Sequence, residues 1–241
     1  MFAVPTSARA ACWLNAWLSG RESADAVITG LLGHQTHMEF AVSDAEPVSA
    51  ALLLGELRKQ GVRRVSVALP SPGDPLGLGG PAAFNADAID EGEALILYDV
   101  GTGLVPRTTG RSTRWEGSPA DPPGYLPDVA GADRELRATL TETANALAAL
   151  DVAAWNPDAA DALMNLHSPA RLDTAMPFPS GEAARAAVTG FRCQHIVDLA
   201  FCDDGGALSS WEVEQRRTAL VPLHRASRAA IMAACSSLDG R

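Results

Sequence analysis

Residues 62–81 read VRRVSVALPSPGDPLGLGGP, a valine-rich run followed directly by a loop of glycines and prolines. The run from Val62 to Leu69 is short, apolar and rich in β-branched residues, which is typical of a strand buried in the interior of a sheet. We expect the downstream end of this strand to open into the glycine-bearing loop. The rest of the predicted architecture depends on this strand and on the loop that follows it.

A strand–helix–strand pattern ends in this run. Met38, Phe40 and Val42 alternate with polar or small residues, which is the two-residue period of a half-buried strand. Residues 47–60 carry leucines at helical spacing and stop at Gly61. A strand, a helix and a second strand in succession predict a βαβ unit with parallel strands and a right-handed crossover.

The elements that follow extend this pattern into an α/β fold. Residues 94–100 form a further apolar strand, and the turn at 101–103 predicts a hairpin into 104–109 that closes the sheet with an antiparallel edge. We therefore expect an α/β fold with a small, mostly parallel sheet of about three to four strands, flanking helices and a helical C-terminal region.

Composition divides the chain into two main regions. Between residues 110 and 131 the sequence is rich in Pro, Gly, Ser and Asp and lacks the apolar density of a core element. We place an α/β domain at residues 1–115, a Pro-rich linker at 116–131, and a helical domain or helical cover at 132–241. In the alternative arrangement the later helices pack directly on the sheet, and the chain forms a single domain.

The glycine-rich loop is the first candidate binding site. It connects a predicted strand to a predicted helix, and in α/β sheets ligands bind at the carboxyl ends of strands. Glycines permit close backbone approach, and N–H groups at a helix start can hold an anion, although the loop has neither a P-loop nor a G-x-G-x-x-G motif. A loop that only shapes a wide turn is the alternative. The candidate ligand-binding residues are Gly73, Asp74, Gly77, Gly79, Gly80 and Asn85.

A locally basic stretch near the C-terminus is the second candidate site. Arg217, His224 and Arg228 fall on roughly adjacent faces of a predicted long helix, where they could bind a small anion or an acidic partner. Ion pairs with acidic groups elsewhere in the chain are the alternative use of these side chains.

The sequence contains no recognisable catalytic or metal-binding motif. His34, His37 and Glu39 come nearest to a metal cluster, but three ligands from one short segment are geometrically awkward, so we interpret them as ordinary boundary residues. Cys193 and His195 are two residues apart and face different directions on a helix, so His195 is expected to be a core histidine. We predict no metal and no cofactor, and leave open whether the chain is an enzyme.

The overall composition disfavours several classes of protein. The chain has 241 residues, of which 47% are apolar and 20% charged, and its formal net charge is -10 at pH 7. Such an acidic protein repels phosphate backbones and anionic lipid, so we expect neither nucleic-acid nor membrane partners. The cysteines at positions 12, 193, 202 and 235 form no metal or disulfide motif, and no signal peptide is recognised. We therefore expect a cytoplasmic protein.

Three segments are similar to an uncharacterised protein family of GC-rich Gram-positive bacteria: residues 73–85, DALMN at 161–165 and IVDL at 196–199. This resemblance spans most of the chain and implies no particular activity. Since no acid, base, nucleophile and metal set converges, we expect a non-catalytic cytoplasmic protein that binds a small-molecule ligand or a protein partner. The alternative is a transferase or hydrolase acting on a phosphorylated or nucleotide-like small molecule bound at the 73–80 loop.

Overall fold

The computed structural model describes residues 4–42, 46–149, 176–202 and 210–238. Among the helices in these ranges, none combines the length and the apolar character that crossing a bilayer requires. In chain order the elements are α1 (Thr6–Leu18), α2 (Ala24–Leu32), β1 (His37–Ala41), β2 (Val48–Ser49), α3 (Ala50–Lys59), β3 (Val65–Ala68), α4 (Ala82–Glu91), β4 (Ala94–Leu97), β5 (Thr102–Thr109), β6 (Ser112–Pro119), α5 (Val129–Ala149), α6 (Gly181–Cys202) and α7 (Ser210–Ser236).

The strands form one mixed sheet in the order β2-β1-β6-β5-β4-β3. β1 and β6 run parallel, whereas the other neighbouring pairs in this sheet are antiparallel. The prediction of an α/β fold with a helical C-terminal region is therefore confirmed. The prediction of a mostly parallel sheet of three to four strands is wrong, because the sheet has six strands and is mostly antiparallel.

The predicted βαβ unit is the source of this error. β1 and β3 lie at separate positions in the sheet, and the pairings between them make the two strands run in opposite directions. A continuous apolar run is typical of parallel strands because helices cover both of their faces. β3 and β4 are buried at every position although they pair antiparallel, so the same sequence pattern arises here without a parallel crossover.

Residues 112–119 form a strand where composition predicts the approach to a linker. Thr113 and Trp115 of β6 are buried, and Trp115 stacks on Phe40 with the ring centroids 5.8 Å apart. The segment 116–131, predicted to be a linker, therefore begins inside β6. β5, which was expected to form an antiparallel edge, lies between β6 and β4 in the interior of the sheet.

The main hydrophobic core contains side chains from both ends of the chain. It joins α1 and the sheet to residues of α6 and α7, including Phe191, Ile231, Met232 and Cys235. A second cluster joins α5, α6 and α7 through residues that include Leu136, Val197 and Leu223. α7 therefore packs both on the sheet side of the molecule and on the other C-terminal helices.

β3 ends the described sheet, and helix side chains cover its outer edge. The side-chain oxygen of Asn15 on α1 accepts a hydrogen bond from the Val65 N–H at 2.9 Å, and its amide nitrogen donates to the Val65 carbonyl at 2.8 Å. Ser236 Oγ at the end of α7 accepts from the Val67 N–H at 2.9 Å. The expected strand is thus present and buried, but it lies at the edge of the sheet and not in its interior. The two helices satisfy the backbone groups that a neighbouring strand would bind.

Candidate functional site

The loop that follows β3 folds back along that strand. The Leu69 N–H donates to the Leu76 carbonyl at 3.2 Å, and Ser71 and Asp74 exchange two backbone hydrogen bonds of 2.9 Å. Gly77, which has a φ of +85°, lies so close to β3 that a Cβ atom there would be 2.7 Å from the Ala68 Cα. The loop is therefore held against the body of the protein.

The other candidate glycines differ in their surroundings. Gly79 packs on backbone, because a Cβ atom there would be 2.3 Å from the carbonyl oxygen of Pro122. The carbonyl of Gly80 accepts a hydrogen bond from the Asp121 N–H at 2.8 Å. Gly73, by contrast, has open space where a Cβ atom would lie. Close packing and the turns of the loop account for glycine at these positions. A bound phosphate is therefore not needed to explain them.

Asp74 is bound by an arginine from the opposite end of the chain. Arg228 on α7 donates to the Asp74 carboxylate at 2.8 Å and to the Leu69 carbonyl at 2.5 Å, and Arg225 Nε lies 3.5 Å from the same carboxylate. Arg228 is only 4% exposed. Burial lowers the pKa of Arg228, and the Asp74 carboxylate acts in the opposite direction. The pair joins one residue from each of the two candidate sets.

His224 lies near this pair without binding to it. Its Nε2 is 3.8 Å from Asp198 Oδ1 on α6. Burial and the Arg228 guanidinium lower the pKa of His224 to about 4, with Asp74 opposing them. The imidazole is therefore neutral at physiological pH, and its contact with Asp198 is not an ion pair.

Two further candidate residues lie apart from the Asp74–Arg228 pair. Asn85 is on α4, and its side-chain oxygen is buried without a hydrogen-bond partner in the described part of the chain. The Arg217 guanidinium lies over the Phe201 ring, 5.8 Å from the ring centroid. The Phe201 ring also makes an edge contact with the His224 ring, with the centroids 5.8 Å apart, so Arg217 and His224 share one aromatic neighbour, whereas Arg228 binds Asp74.

A cavity of about 410 Å³ lies beside the Asp74–Arg228 pair, where β3 ends and β4 begins. We call it the sheet-edge cavity. Its volume is typical of a small-molecule pocket. Leu69, whose carbonyl accepts from Arg228, is also one of its lining residues. The apolar side chains that line it are Val4, Pro5, Leu69 and Phe191, and the ionisable or polar ones are Thr6, Glu91, Glu93, Gln194, His195 and Asp198.

Glu93 connects the sheet-edge cavity to the start of α1. Its carboxylate accepts hydrogen bonds from the N–H and the hydroxyl of Ser7, both at 2.7 Å. Pro5 precedes the helix and supplies no side-chain cap, so Glu93 provides the acceptor and the negative charge that a helix N-terminus favours. Burial raises the pKa of Glu93, and the hydrogen bonds from Ser7 oppose this shift.

The other two carboxylates of the cavity differ in their partners. Glu91 binds Arg107 at 2.9 Å, and the same guanidinium contacts Glu116 at 3.2 Å and also Asp87. Burial raises the pKa of Asp198, although His195 and Arg228 act to lower it. For Asp198 the effect of burial therefore outweighs that of its two neighbours.

Most residues of the sheet-edge cavity belong to no motif in the sequence. His195 is expected in the core from its position on the helix, yet it lines the cavity. One usable signal exists, because Gln194, His195 and Asp198 place polar groups within about one turn of a helix that is otherwise rich in Ala and apolar residues. Glu91 and Glu93 are identifiable only from their position in the fold.

His37 and Cys193 are two of the residues that the sequence singles out as possible metal ligands or nucleophiles. His37 Nε2 lies 3.5 Å from Glu39 Oε2 on β1. Across residues 4–42, 46–149, 176–202 and 210–238, no three His, Cys, Asp or Glu side chains are placed to hold a metal ion together. Burial raises the pKa of Cys193 to about 12, so this thiol is not ionised at neutral pH and is a poor nucleophile.

A second cavity of about 230 Å³ lies between α6 and α7. Arg217 is one of its lining residues. Neither of these two cavities is lined by residues of the 70–81 loop. The residues that line the second cavity are Ala200, Phe201, Val213, Arg216, Arg217 and Leu220.

Comparison with known proteins gives matches along most of the chain. Residues 7–130 match the N-terminal domain of Rv1486c-like proteins, and residues 130–232 match the C-terminal domain. Two proteins of Mycobacterium tuberculosis, described as uncharacterized proteins Rv1486c (strain H37Rv) and MT1533 (strain CDC 1551), are each 33% identical over 121 residues.

Each of these alignments covers 39% of this chain and 41% of the relative, so the chain matches about two fifths of the length of its curated relatives. No solved structure matches the chain. Of the segments that carry the resemblance noted in the sequence, 196–199 lies in α6, whereas 161–165 lies outside the described residues.

Proposed function

The chain belongs to the family of Rv1486c-like proteins, whose description names no activity, and from its geometry we propose a non-catalytic protein that binds a small molecule in the sheet-edge cavity. Its family and its Mycobacterium tuberculosis relatives confirm the predicted resemblance to a family of GC-rich Gram-positive bacteria. One observation supports the proposed function most directly. A cavity of about 410 Å³ combines an apolar wall with polar side chains from widely separated parts of the chain.

The surroundings of Glu91 and Glu93 favour binding over catalysis. Glu93 caps α1 through Ser7, and Glu91 is held by Arg107. A general acid or base must be free to exchange a proton with a substrate. Carboxylates that already stabilise the fold are better suited to orienting a bound molecule than to transferring its protons.

The alternative, a transferase or hydrolase for a phosphorylated or nucleotide-like molecule at the 73–80 loop, has less support. Asp74 brings a negative charge to the loop, and Arg228 is already engaged by Asp74 and Leu69. Gly77 and Gly79 pack against neighbouring backbone, which restricts the space for a phosphate. We therefore place the ligand in the cavity and not on the loop.

A screen of small metabolites by thermal shift tests the proposed function. Gln194→Trp is the test variant, because it fills the cavity from an α6 position that is not fully buried. Gln215→Trp on α7 is the matched control, since Gln215 lines neither cavity. We expect a ligand to raise the Tm of the wild type and of Gln215→Trp by about 5–10 °C at roughly 100 times its Kd, and to leave Gln194→Trp unchanged.

Two results would contradict the proposed function. One is a library in which no compound raises the Tm of the wild type. The other is a set of compounds that stabilise Gln194→Trp as strongly as the wild type, because these compounds would bind elsewhere on the protein.

A further inference from the structure

The charges around the sheet-edge cavity identify the class of ligand that it favours. Glu91, Glu93 and Asp198 line the cavity, and no Lys or Arg is among its lining residues. Opposite charges attract strongly only where water is partly excluded, as in a cavity. The question is therefore whether nearby cations already neutralise these carboxylates.

Neutralisation at the Glu91 side is incomplete. Arg107 is shared among Glu91, Glu116 and Asp87, so one guanidinium faces three carboxylates and the cluster keeps a net charge of -2. Glu93 accepts hydrogen bonds from the N–H and the hydroxyl of Ser7 at the N-terminus of α1, which carries a partial positive charge of roughly half a unit.

Asp198 adds a third carboxylate from α6. His195 and Arg228 act to lower its pKa, but Arg228 also binds Asp74 and the Leu69 carbonyl, and His224, 3.8 Å away, is neutral at physiological pH. Burial raises the pKa of both Asp198 and Glu93, the direction expected for carboxylates without a full counter-ion. A bound cation would place a positive charge next to both carboxylates.

The remaining wall of the cavity is apolar. Leu69 and Phe191 form part of it, with Val4 and Pro5 before α1. A bare inorganic cation would gain nothing from this surface, whereas an organic cation would bury its carbon skeleton there. The two walls together match a molecule with one charged end and one apolar end.

We propose that the sheet-edge cavity binds an organic amine, with the protonated amino group directed to Asp198 and Glu93 and the apolar part packed on Leu69 and Phe191. This assignment rests on the proposed function, since it names the ligand class of the same cavity. The overall net charge of -10 favours the approach of such a cation.

Isothermal titration with matched probes tests this assignment. Each of three amines, phenethylamine, tryptamine and isoamylamine, is compared with the alcohol of the same skeleton, and 3-phenylpropanoate serves as the anionic probe. We expect at least one amine to bind the wild type about tenfold or more tightly than its alcohol, and the carboxylate not to bind.

Two isosteric substitutions then locate the charge effect. Asp198→Asn is expected to weaken binding of the amine about tenfold without changing the affinity for the alcohol. Asp90→Asn is the matched control, because Asp90 is an exposed residue of α4 that does not line the cavity. The control removes the same charge from the protein and is expected to leave the affinity for the amine unchanged.

The outcomes separate the two proposals. Equal affinities for an amine and its alcohol, or equal losses in Asp198→Asn and Asp90→Asn, would overturn the amine assignment and leave the cavity as a binding site. Failure of all three amines would overturn it as well, while the library screen with Gln194→Trp decides independently whether the cavity binds any small molecule.

Discussion

Asn15 is 1% exposed, and its side chain forms hydrogen bonds to the β3 backbone that a neighbouring strand would otherwise form. Its amide group binds both backbone groups of Val65 and also donates to the Cys235 carbonyl at 3.0 Å. A buried polar side chain costs free energy unless its hydrogen bonds are satisfied. Asn15 is therefore a residue where α1, β3 and α7 are held together by polar contacts within an apolar core.

Replacing Asn15 with Ala tests this arrangement. The substitution leaves the N–H and carbonyl of Val65 and the carbonyl of Cys235 without their partner, so we expect the free energy of unfolding to fall by about 3 kcal/mol. Urea denaturation measures the change. Asn145→Ala, at an exposed position of α5, is the matched control and is expected to stay within about 0.5 kcal/mol of the wild type. A similar result for both variants would contradict a structural role for Asn15.

His224 predicts how stability depends on pH. Its pKa is lowered from 6.5 to about 4 by burial and Arg228, with Asp74 opposing, and Asp198 lies 3.8 Å from its ring. Between these two values the unfolded chain binds a proton that the folded chain does not. This residue's contribution to stability is therefore complete above about pH 6.5 and is lost as the pH falls toward 4.

The measurement is urea unfolding at about pH 7 and about pH 4.5. Removing the titrating group with His224→Gln should reduce the loss of stability between these conditions by about 2 kcal/mol relative to the wild type. Because carboxylates such as Glu93 and Asp198 titrate in both proteins, the comparison isolates His224. His37→Gln on β1 serves as the matched control. An unchanged pH dependence in His224→Gln would show that the imidazole is not buried as described.

The loop after β3 contains two glycines, of which one has only an unusual backbone angle and the other is also closely packed. Gly73 and Gly77 have φ values of +82° and +85°, but only Gly77 has close neighbours where a Cβ atom would lie, including Ala68 and Met232. Backbone strain should thus affect both positions, and steric overlap only the second. The pair forms an internal comparison within one loop.

We expect Gly73→Ala to cost about 1 kcal/mol and Gly77→Ala about 3 kcal/mol or more in free energy of unfolding. Denaturation midpoints at constant m value give the two numbers. Equal costs would mean that the loop does not pack on β3 and α7 as described. A free loop would in turn restore support for the alternative site at residues 73–80.

The segment that contains β3 shows how much of the fold the sequence predicts. The apolar run of residues 62–69 correctly predicts a buried strand and a loop at its downstream end, since both follow from local composition. Its antiparallel pairing with β4 and its position at the sheet edge depend on distant contacts, such as that of Asn15 with Val65. Composition does not predict β6, because Gly, Ser and Pro surround the alternating buried residues Thr113 and Trp115.

The candidate site, like the fold, has features that local sequence predicts and others that depend on distant contacts. Asp74 and Arg228 are each identifiable from local context, but their contact joins residues far apart in the chain and is visible only in the structure. The acids of the sheet-edge cavity come from separate elements, and no spacing rule relates Glu93 to Asp198. Motif reasoning therefore finds single residues here, whereas the cavity is a property of the fold.

Helix α7 connects the two regions of the chain that composition separates. Ile231, Met232 and Cys235 belong to the same hydrophobic cluster as residues of α1 and the sheet. Ser236 and Arg228 satisfy backbone groups of β3 and of Leu69 beside it. The family descriptions meet at residue 130, yet the core described here crosses that position. From these contacts we propose that the C-terminal helices form a helical cover on the sheet and not an independent helical domain.

A fragment of residues 1–130 tests this arrangement. Without α7 it exposes the apolar face of α1 and the edge of β3, so we expect no cooperative unfolding transition and a tendency to aggregate. Co-expression with residues 131–241 should restore a cooperative transition, because the missing core residues are supplied in trans. The control is the full chain with a protease site inserted after Gly124 and cleaved after folding, which should stay assembled and unfold cooperatively. A fragment 1–130 that unfolds cooperatively near the midpoint of the full chain would instead establish an independent N-terminal domain, one of the two arrangements that the composition leaves open, and would make the α7 contacts with β3 dispensable for folding.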